Sequence, residues 1–417
     1  MILRKGLIVC LCILFASATV IDGCGRRTSG ALEEGLVLYR QNKLEQALPF
    51  LERAAQEDTK NPDAYSWLAE TCRRLGRKGE SVESARKALE LDPCNSFAHA
   101  VLADGYNPMY GEWERANPDS TWSHLKKSIA CDSTNGNAWA SLWSESIRRG
   151  ELAVMKRSLH GMIETGFLTR AALSYARWML RGLPDRTILV TNGDMDTYPP
   201  VALQEVENFR PDIAVVNRSL LNTVWYERFI RDHYGVPLPF EDARLDSLRP
   251  LREAHGGIVT TSDQILREWT NRKAKGALSR PFALSVTVDT SVAASFKDHF
   301  RMSGPFFLWV SKPTESGPDT GMLRKNLAGI NPDDFSGPFA SAQDRSPVRS
   351  VYTKQLAKNI TATALLYSEL LIEAGSYSEA ERMLAWADAF EKNTELGPVF
   401  TEHIAKLRGS AKKSGKK

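Results

Sequence analysis

The chain has 417 residues, 42 % of them hydrophobic and 25 % charged, an ordinary globular composition that excludes a disordered or collagen-like polymer. At roughly 100–200 residues per domain, this length suggests two or three domains. The 54 basic and 50 acidic residues leave a formal charge of +4, too balanced to argue for nucleic acid or a strongly anionic partner.

The N-terminus reads as an export address. Arg4 and Lys5 precede an apolar run from Leu7 to Val20. That run is shorter than the about 20 residues a spanning helix needs, and it fits the h-region of a secretory signal, so residues 1–23 are set aside from the fold. The run leads into Ile21-Asp22-Gly23-Cys24, which resembles a bacterial lipobox. The resemblance implies a lipidated Cys24 as first residue of the mature chain, firmly anchored, with 24–30 as a tether. A plain signal cut near Ala16–Ala18 is the alternative. Either way the chain is expected to be exported; with the anchor it sits in a bacterial cell envelope, facing the periplasm or exterior. Beyond Cys24 only Cys72, Cys94 and Cys131 remain. They have no metal spacing and suggest no disulfide framework, and Cys72 reads as a small buried hydrophobe.

Residues 31–170 carry a helical repeat with a period of about 34 residues, the length of a tetratricopeptide unit. In 28–61 the packing positions are Gly35, Leu38, Ala47, Leu51 and Ala54, and in 62–95 they are Ala69, Cys72, Ser81, Ala85 and Ala88. The third unit begins near Phe97 and carries a turn-rich insertion from Tyr106 to Ser120, and a degenerate fourth unit runs from Asn137 to about Glu164. Such arrays bury their core by stacking neighbours. The concave face is then either a site for a protein partner or plain support for the rest of the chain.

From 171 to 315 short apolar runs alternate with helical stretches, the signature of βαβ units and a parallel sheet. Strands are expected at 187–191, 212–217, 281–288 and 305–310. Helices are expected at 199–209, from Asn222-Thr223 to about His233, at 264–273 and at 292–301. In an open parallel sheet, ligands sit outside the carboxyl ends of the strands. The residues there are Asn192, Gly193, Asp194 and Asp196, then Asn217, Ser219 and Asn222, then Asp289 and Thr290. Asp194 and Asp196 are candidates to hold a divalent cation or sugar hydroxyls. Their alternative role is to cap helices and form turns. No dinucleotide, P-loop, zinc-protease or nucleophile-elbow motif occurs. His233, His255 and His299 have no acid or nucleophile partner in sequence.

Residues 316–350 read as one long loop. A last helical repeat spans 351–409, turning at Gly375-Ser376-Tyr377, and 410–417 reads as a solvated basic tail containing Lys412, Lys413, Lys416 and Lys417.

The stretch 187–226 resembles the soluble region of large bacterial membrane proteins related to lipid-linked protein O-mannosyltransferases. The matching residues are Asn192-Gly193-Asp194, Asp196-Thr197, Pro199, Leu203 to Glu207, Arg210-Pro211-Asp212, Val215-Val216-Asn217, Ser219 to Thr223 and Trp225-Tyr226. The likeness continues more weakly to about residue 395. It implies a shared middle domain and a glycan-related setting. The membrane-embedded module expected to transfer the sugar has no counterpart here, so the resemblance implies no activity.

The expected fold is therefore α + α/β: a tetratricopeptide-like solenoid, a Rossmann-like domain with a mostly parallel sheet, and a C-terminal tetratricopeptide-like hairpin. The expected function is a non-catalytic envelope lipoprotein acting as a protein-interaction scaffold. The alternatives are a sugar-phosphate or divalent-cation binding domain, or an accessory subunit of a membrane glycosyltransferase. No cofactor is expected unless Asp194 and Asp196 take a cation.

Overall fold

The computed structural model describes residues 30–109, 111–253, 256–289, 296–312, 318–336, 348–394 and 399–414. Cys24, the signal, His255 and Thr290 lie outside them.

Eight helices pair into the solenoid: α1 (Gly30–Arg40), α2 (Leu44–Glu57), α3 (Pro62–Arg74), α4 (Lys78–Leu91), α5 (Ser96–Tyr106), α6 (Pro118–Cys131), α7 (Gly136–Arg149) and α8 (Leu152–Glu164). An asparagine starts the first helix of three successive units. Asn61, Asn95 and Asn135 accept from Asp63 N, Ala98 N and Ala138 N, each satisfying one of the orphan N–H groups of the first turn. Gly150 ends α7 in the left-handed region, where a Cβ would be strained. Ala47, Ala69, Ala85, Ala88 and Ala98 are all buried between helices, and a Cβ on Gly161 would lie 2.3 Å from the Trp139 ring.

One expectation changes in this half. Cys94 and Cys131 form a disulfide with Cα atoms 5.4 Å apart, whereas Cys72 is free and buried. Their separation along the chain conceals the pairing. Cys94 sits just before α5 and Cys131 ends α6, so the antiparallel hairpin brings both to the same end. The histidine pair of this hairpin also came from remote positions: His99 Nδ1 lies 2.8 Å from His124 Nδ1, and His99 Nε2 lies 3.1 Å from Pro93 O.

The middle region begins with α9 (Arg170–Gly182) and continues β1 (Ile188–Thr191), α10 (Asp194–Glu207), β2 (Ala214–Asn217), α11 (Val224–Tyr234), α12 (Asp242–Ser247), β3 (Leu251–Arg252), β4 (Ile258–Val259), α13 (Thr261–Ala274), β5 (Phe282–Ser285), β6 (Phe300–Met302) and β7 (Phe306–Trp309). The main sheet has the order β2-β1-β5-β7-β6. β1 pairs parallel with β2 and β5, with Val190 opposite Val216 and Leu284. β7 runs antiparallel to both its neighbours, so the sheet is mixed and the Rossmann-like expectation is too specific. Residues 300 and 301, read as the end of a helix, belong to β6. The link from β6 to β7 is only Ser303-Gly304-Pro305, too short for the crossover that parallel strands need. The small β3–β4 ladder was not foreseen.

Behind the sheet, Arg210 fastens α9 to the strand entry. Its guanidinium pairs with Asp212 at 2.8 Å and donates to the carbonyls of Leu180 and Leu183. The chain closes with α14 (Thr320–Leu327), α15 (Val348–Glu373), α16 (Tyr377–Asn393) and α17 (Thr401–Ser414). The expected loop at 316–350 thus contains α14 and a 3-10 turn at Pro332–Phe335. Asp319 caps α14 by accepting from Met322 N, and Leu323, Leu327 and Phe335 are buried. The expected basic tail is helical to Ser414, and Ala411 packs inward. No helix among the described residues is long and apolar enough to cross a membrane.

α9 is the hinge of the architecture. Ala176, Met179 and Leu180 join a core shared by Trp139, Trp143 and Leu159 of the solenoid and by β1, β2 and β5. Its other face, with Tyr175 and Trp178, packs against α14 and the C-terminal helices. The later solenoid helices and the sheet therefore share one continuous apolar interior, whereas α1 to α4 pack around two separate clusters.

Candidate functional site

The turn after β1 decides the site. Asp196 lies at the third position of α10 and accepts from Asn192 N at 2.8 Å and Gly193 N at 2.9 Å. This reverse cap starts the helix at Asp194, five residues before the expected Pro199. Thr287, from the loop after β5, also donates to the Asp196 carboxylate. Asp196 is buried and thus ties together the two strand ends that flank the expected crevice. Burial raises its pKa, against these hydrogen bonds, which lower it.

Asp194, two residues earlier, takes the opposite direction. It faces a cleft of about 480 Å³ between α10 and the inner face of the solenoid. The solenoid contributes Arg73, Lys78, Asp104, Asn137, Ser141 and Ser144, and Met195, Tyr198 and Phe167 supply apolar surface. Tyr198 is fixed edge-on to Trp143, with ring centroids 5.1 Å apart. The paired aspartates of the sequence therefore have separate surroundings. Among the described residues no group of three His, Cys, Asp or Glu side chains could hold a metal ion.

The other strand-end residues divide the same way. Asn217 is fully buried; its Oδ1 accepts from Leu220 N at 3.0 Å, and its backbone N donates to Tyr226 Oη. Its Nδ2 has no partner at hydrogen-bonding distance, but the amide is near enough to Asp194 to favour the charged carboxylate. Asn222 caps a remote helix start by accepting from Ser262 N and donates to Ser219 O. Asn192 is exposed and receives Arg218 at 3.5 Å, while Arg218 pairs with Asp263 at 2.7 Å. Asn192, Gly193, Asp194, Asp196 and Asn217 thus gather at one rim, with Asn222 behind it as a structural brace.

Electrostatics on the solenoid wall are tightly organised. Arg73 holds Glu70 through two hydrogen bonds of 2.6 and 2.9 Å and reaches Asp104 at 3.2 Å. Tyr39 donates to Glu70, and Ser141 donates to Asp104. Lys78 Nζ donates to Gly111 O, drawing the insertion against the mouth of the cleft. The surrounding protein pushes the carboxyl pKa of both Asp104 and Asp194 up, with Arg73 opposing this at Asp104 and Tyr198 opposing it at Asp194. Asp194 is solvent-exposed within this crevice, so the wall around it, rather than sealing, is what raises its pKa.

The solenoid wall was missed in the sequence, although a signal existed. Glu70, Asp104 and Ser144 are each the ninth residue of their helix, counting from Pro62, Ser96 and Gly136. A polar residue recurring there, amid buried neighbours, marks one inner column. Other polar groups lie apart from the cleft. His233 Nε2 meets Glu205 at 3.0 Å, the acid partner its sequence neighbourhood lacked, and His299 stacks on Trp309. Glu227 is fully buried with neither carboxyl oxygen hydrogen-bonded, and burial pushes its pKa to about 7.

Comparisons with known proteins fit this division. Residues 38–104 match the tetratricopeptide repeat family, and residues 172–242 match the family described as TMEM260-associated domain 2. No curated protein matches the chain. Among solved structures, a thermophilic tetratricopeptide protein of Thermus thermophilus is 18 % identical over 52 % of this chain and 94 % of its own, with a TM-score of 0.32. PilW, a type IV pilus biogenesis factor, is 17 % identical over 54 % of this chain and 100 % of its own, at 0.31. The Naa15/Naa10 complex bound to HypK-THB is 13 % identical over 93 % of this chain and 54 % of its own, at 0.29. Residues 38–104 thus carry the tetratricopeptide pattern, and the segment from α9 to the start of α12 carries the TMEM260-associated pattern.

Proposed function

We propose that this protein is a non-catalytic scaffold of the bacterial cell envelope, lipid-anchored through Cys24, that holds a partner protein in the groove of its solenoid. The observation that carries this reading is the cleft itself. Two parts of the chain with unlike sequence patterns supply its opposite walls, and a shared core fixes their separation. The Cys94–Cys131 disulfide supports export, since such bonds persist in oxidising compartments and are rare in the cytosol. The TMEM260-associated match and the likeness of 187–226 to mannosyltransferase-related proteins support a glycan-related setting for the middle region, as an accessory to a membrane glycosyltransferase.

The test is site-specific photo-crosslinking in native membranes. A crosslinker at Asn137, inside the groove, should give a discrete protein adduct. One at Glu83, on the outer helix α4, should not. Adducts at Glu83 alone, or at neither, contradict the reading. For the anchor, palmitate should label the chain, and Cys24→Ser should abolish the label and release the protein from membranes.

The second reading, a divalent cation held by Asp194 and Asp196, is disfavoured by one observation: both Asp196 oxygens are already engaged by Asn192, Gly193 and Thr287. A calcium or magnesium titration that raises the melting temperature of the wild type but not of Asp194→Ala would restore it.

A further inference from the structure

We propose that Glu227 is a proton-operated lock on α11: with its carboxyl neutral, α11 closes over the end of β2 behind the cleft, and with its carboxylate ionised, α11 lifts away. The lock stands whether or not the cleft holds a protein partner.

The geometry behind this is a carboxyl with nothing to meet its charge. Glu227 is fully buried, and neither of its carboxyl oxygens has a hydrogen-bond partner. It lies on the inner face of α11 with Tyr226 and Ile230, which are buried as well. α11 packs on β2, on the 3-10 turn at Leu220–Asn222 and on α7. β2 and the turn carry no ionisable side chain. On α7, Arg148 and Arg149 are both committed to Glu145. The charged groups that act on Glu227 are Arg228, next to it, and Asp246 on α12, and these two hold each other at the surface through bonds of 2.8 and 3.0 Å. An ionised carboxylate buried without a partner is strongly unfavourable, whereas the neutral acid costs far less.

α11 is placed to pass this on to the cleft. Asn217 N, at the end of β2, donates to the Tyr226 hydroxyl, and Asn217 Oδ1 accepts from Leu220 N. The neighbour of Glu227 therefore holds the strand end at the rim. α7, on which α11 also packs, carries Asn137, Ser141 and Ser144 of the opposite wall. On the solvent side α11 is tied down by exposed ion pairs, Arg228 to Asp246 and Arg231 to Asp242, which contribute little. Burial lifts the Glu227 pKa from the ordinary value of 4.5 to about 7, with Arg228 opposing the rise and Asp246 adding to it. The closed state therefore keeps a proton that the open state releases. α11 is held most firmly below about pH 4.5, loosens about tenfold per pH unit above that, and levels off beyond about pH 7. The histidines of α5 and α6, whose pKa values are lowered, have the opposite dependence.

The experiment is hydrogen exchange of the full chain in detergent, read as protection factors, which already discount base catalysis of exchange. Amides of α11, such as that of Ile230, should lose at least about tenfold in protection between about pH 5 and about pH 7.5. Those of α3, such as that of Ala69 in a separate core cluster, should not follow. In Glu227→Gln, a neutral side chain of the same size, α11 should keep its acid-level protection throughout. Glu227→Leu, neutral and apolar, should do the same and serves where the glutamine amide fails to pack. Infrared difference spectra over the same range should show a protonated-carboxyl stretch at the high frequency of a carbonyl free of hydrogen bonds. That band should vanish as pH rises and be absent from both variants. Protection of α11 that is flat with pH in the wild type, a loss that persists in either variant, an equal loss in α3, or no such carboxyl band would overturn the proposal.

Discussion

The two walls of the cleft are specified in different ways. The solenoid is local: each helix packs on its sequence neighbours, and small buried residues recur at the repeat period, as Ala64 and Ala98 or Ala69 and Ala103 do. The sheet is non-local: β1 lies between β2 and β5, and the contact that closes its rim joins Asp196 to Thr287. A locally specified wall can vary residue by residue while its shape persists. A non-locally specified wall depends on a few long-range contacts. The cleft between them therefore joins a wall whose residues can vary to a wall whose geometry is fixed.

The sharpest way to break this comparison is at the junction. Trp143 is buried in the shared core and packs on Tyr198. Trp143→Ala should cost about 3–5 kcal/mol and lower the melting of the whole molecule in one transition, seen by calorimetry. A variant that melts in two steps would mean the two walls are independent bodies. Next is the disulfide, which closes a loop holding the cleft-lining insertion. Cys94→Ser should destabilise the chain by roughly 2–4 kcal/mol relative to the oxidised wild type in a denaturant titration, and the reduced wild type should match the variant. Third, Asp196→Ala removes the acceptor of two backbone N–H groups and of Thr287. It should cost about 1–3 kcal/mol and leave the solenoid helices intact by circular dichroism.

The smallest effect is a pH dependence. His124 is held down to about 4 by burial, then by His99, Lys127 and Arg86, and His99 is lowered by burial as well, with Pro93 and Asp92 opposing this. Because their folded-state pKa values lie below the unfolded value of about 6.5, the unfolded chain binds more protons between the two. Stability is therefore complete above pH 6.5 and declines as pH falls toward 4. Partial exposure of His124 reduces the loss to on the order of 1 kcal/mol. His124→Phe should flatten this slope in a pH series of melting temperatures.

Legibility in the sequence followed the same division. The repeats, their turns and the interrupting insertion were readable because their period is a property of the chain itself. The parallel strands at 188–191, 214–217 and 282–285 were readable as buried apolar runs. What could not be read was pairing. The Cys94–Cys131 bond, the His233–Glu205 contact and the reversal of β7 depend on which segments meet. The rim residues were found because strand ends converge in any such sheet. Their separate roles were not, because a D-x-D pair on a loop and one starting a helix look alike until Asp196 is seen accepting from Asn192 and Gly193. The solenoid wall escaped because Glu70 and Asp104 look like ordinary helix-surface charges until α3 and α5 are set side by side.

Native-state hydrogen exchange in increasing denaturant tests the central claim, that the solenoid end and the sheet are one body around one cleft. Amides of α7, such as that of Ile147, and of β1, such as that of Leu189, should exchange through a common global opening with the same free energy. If α7 and α8 open at distinctly lower free energy while β1 stays protected, the cleft has no fixed width and the account is wrong.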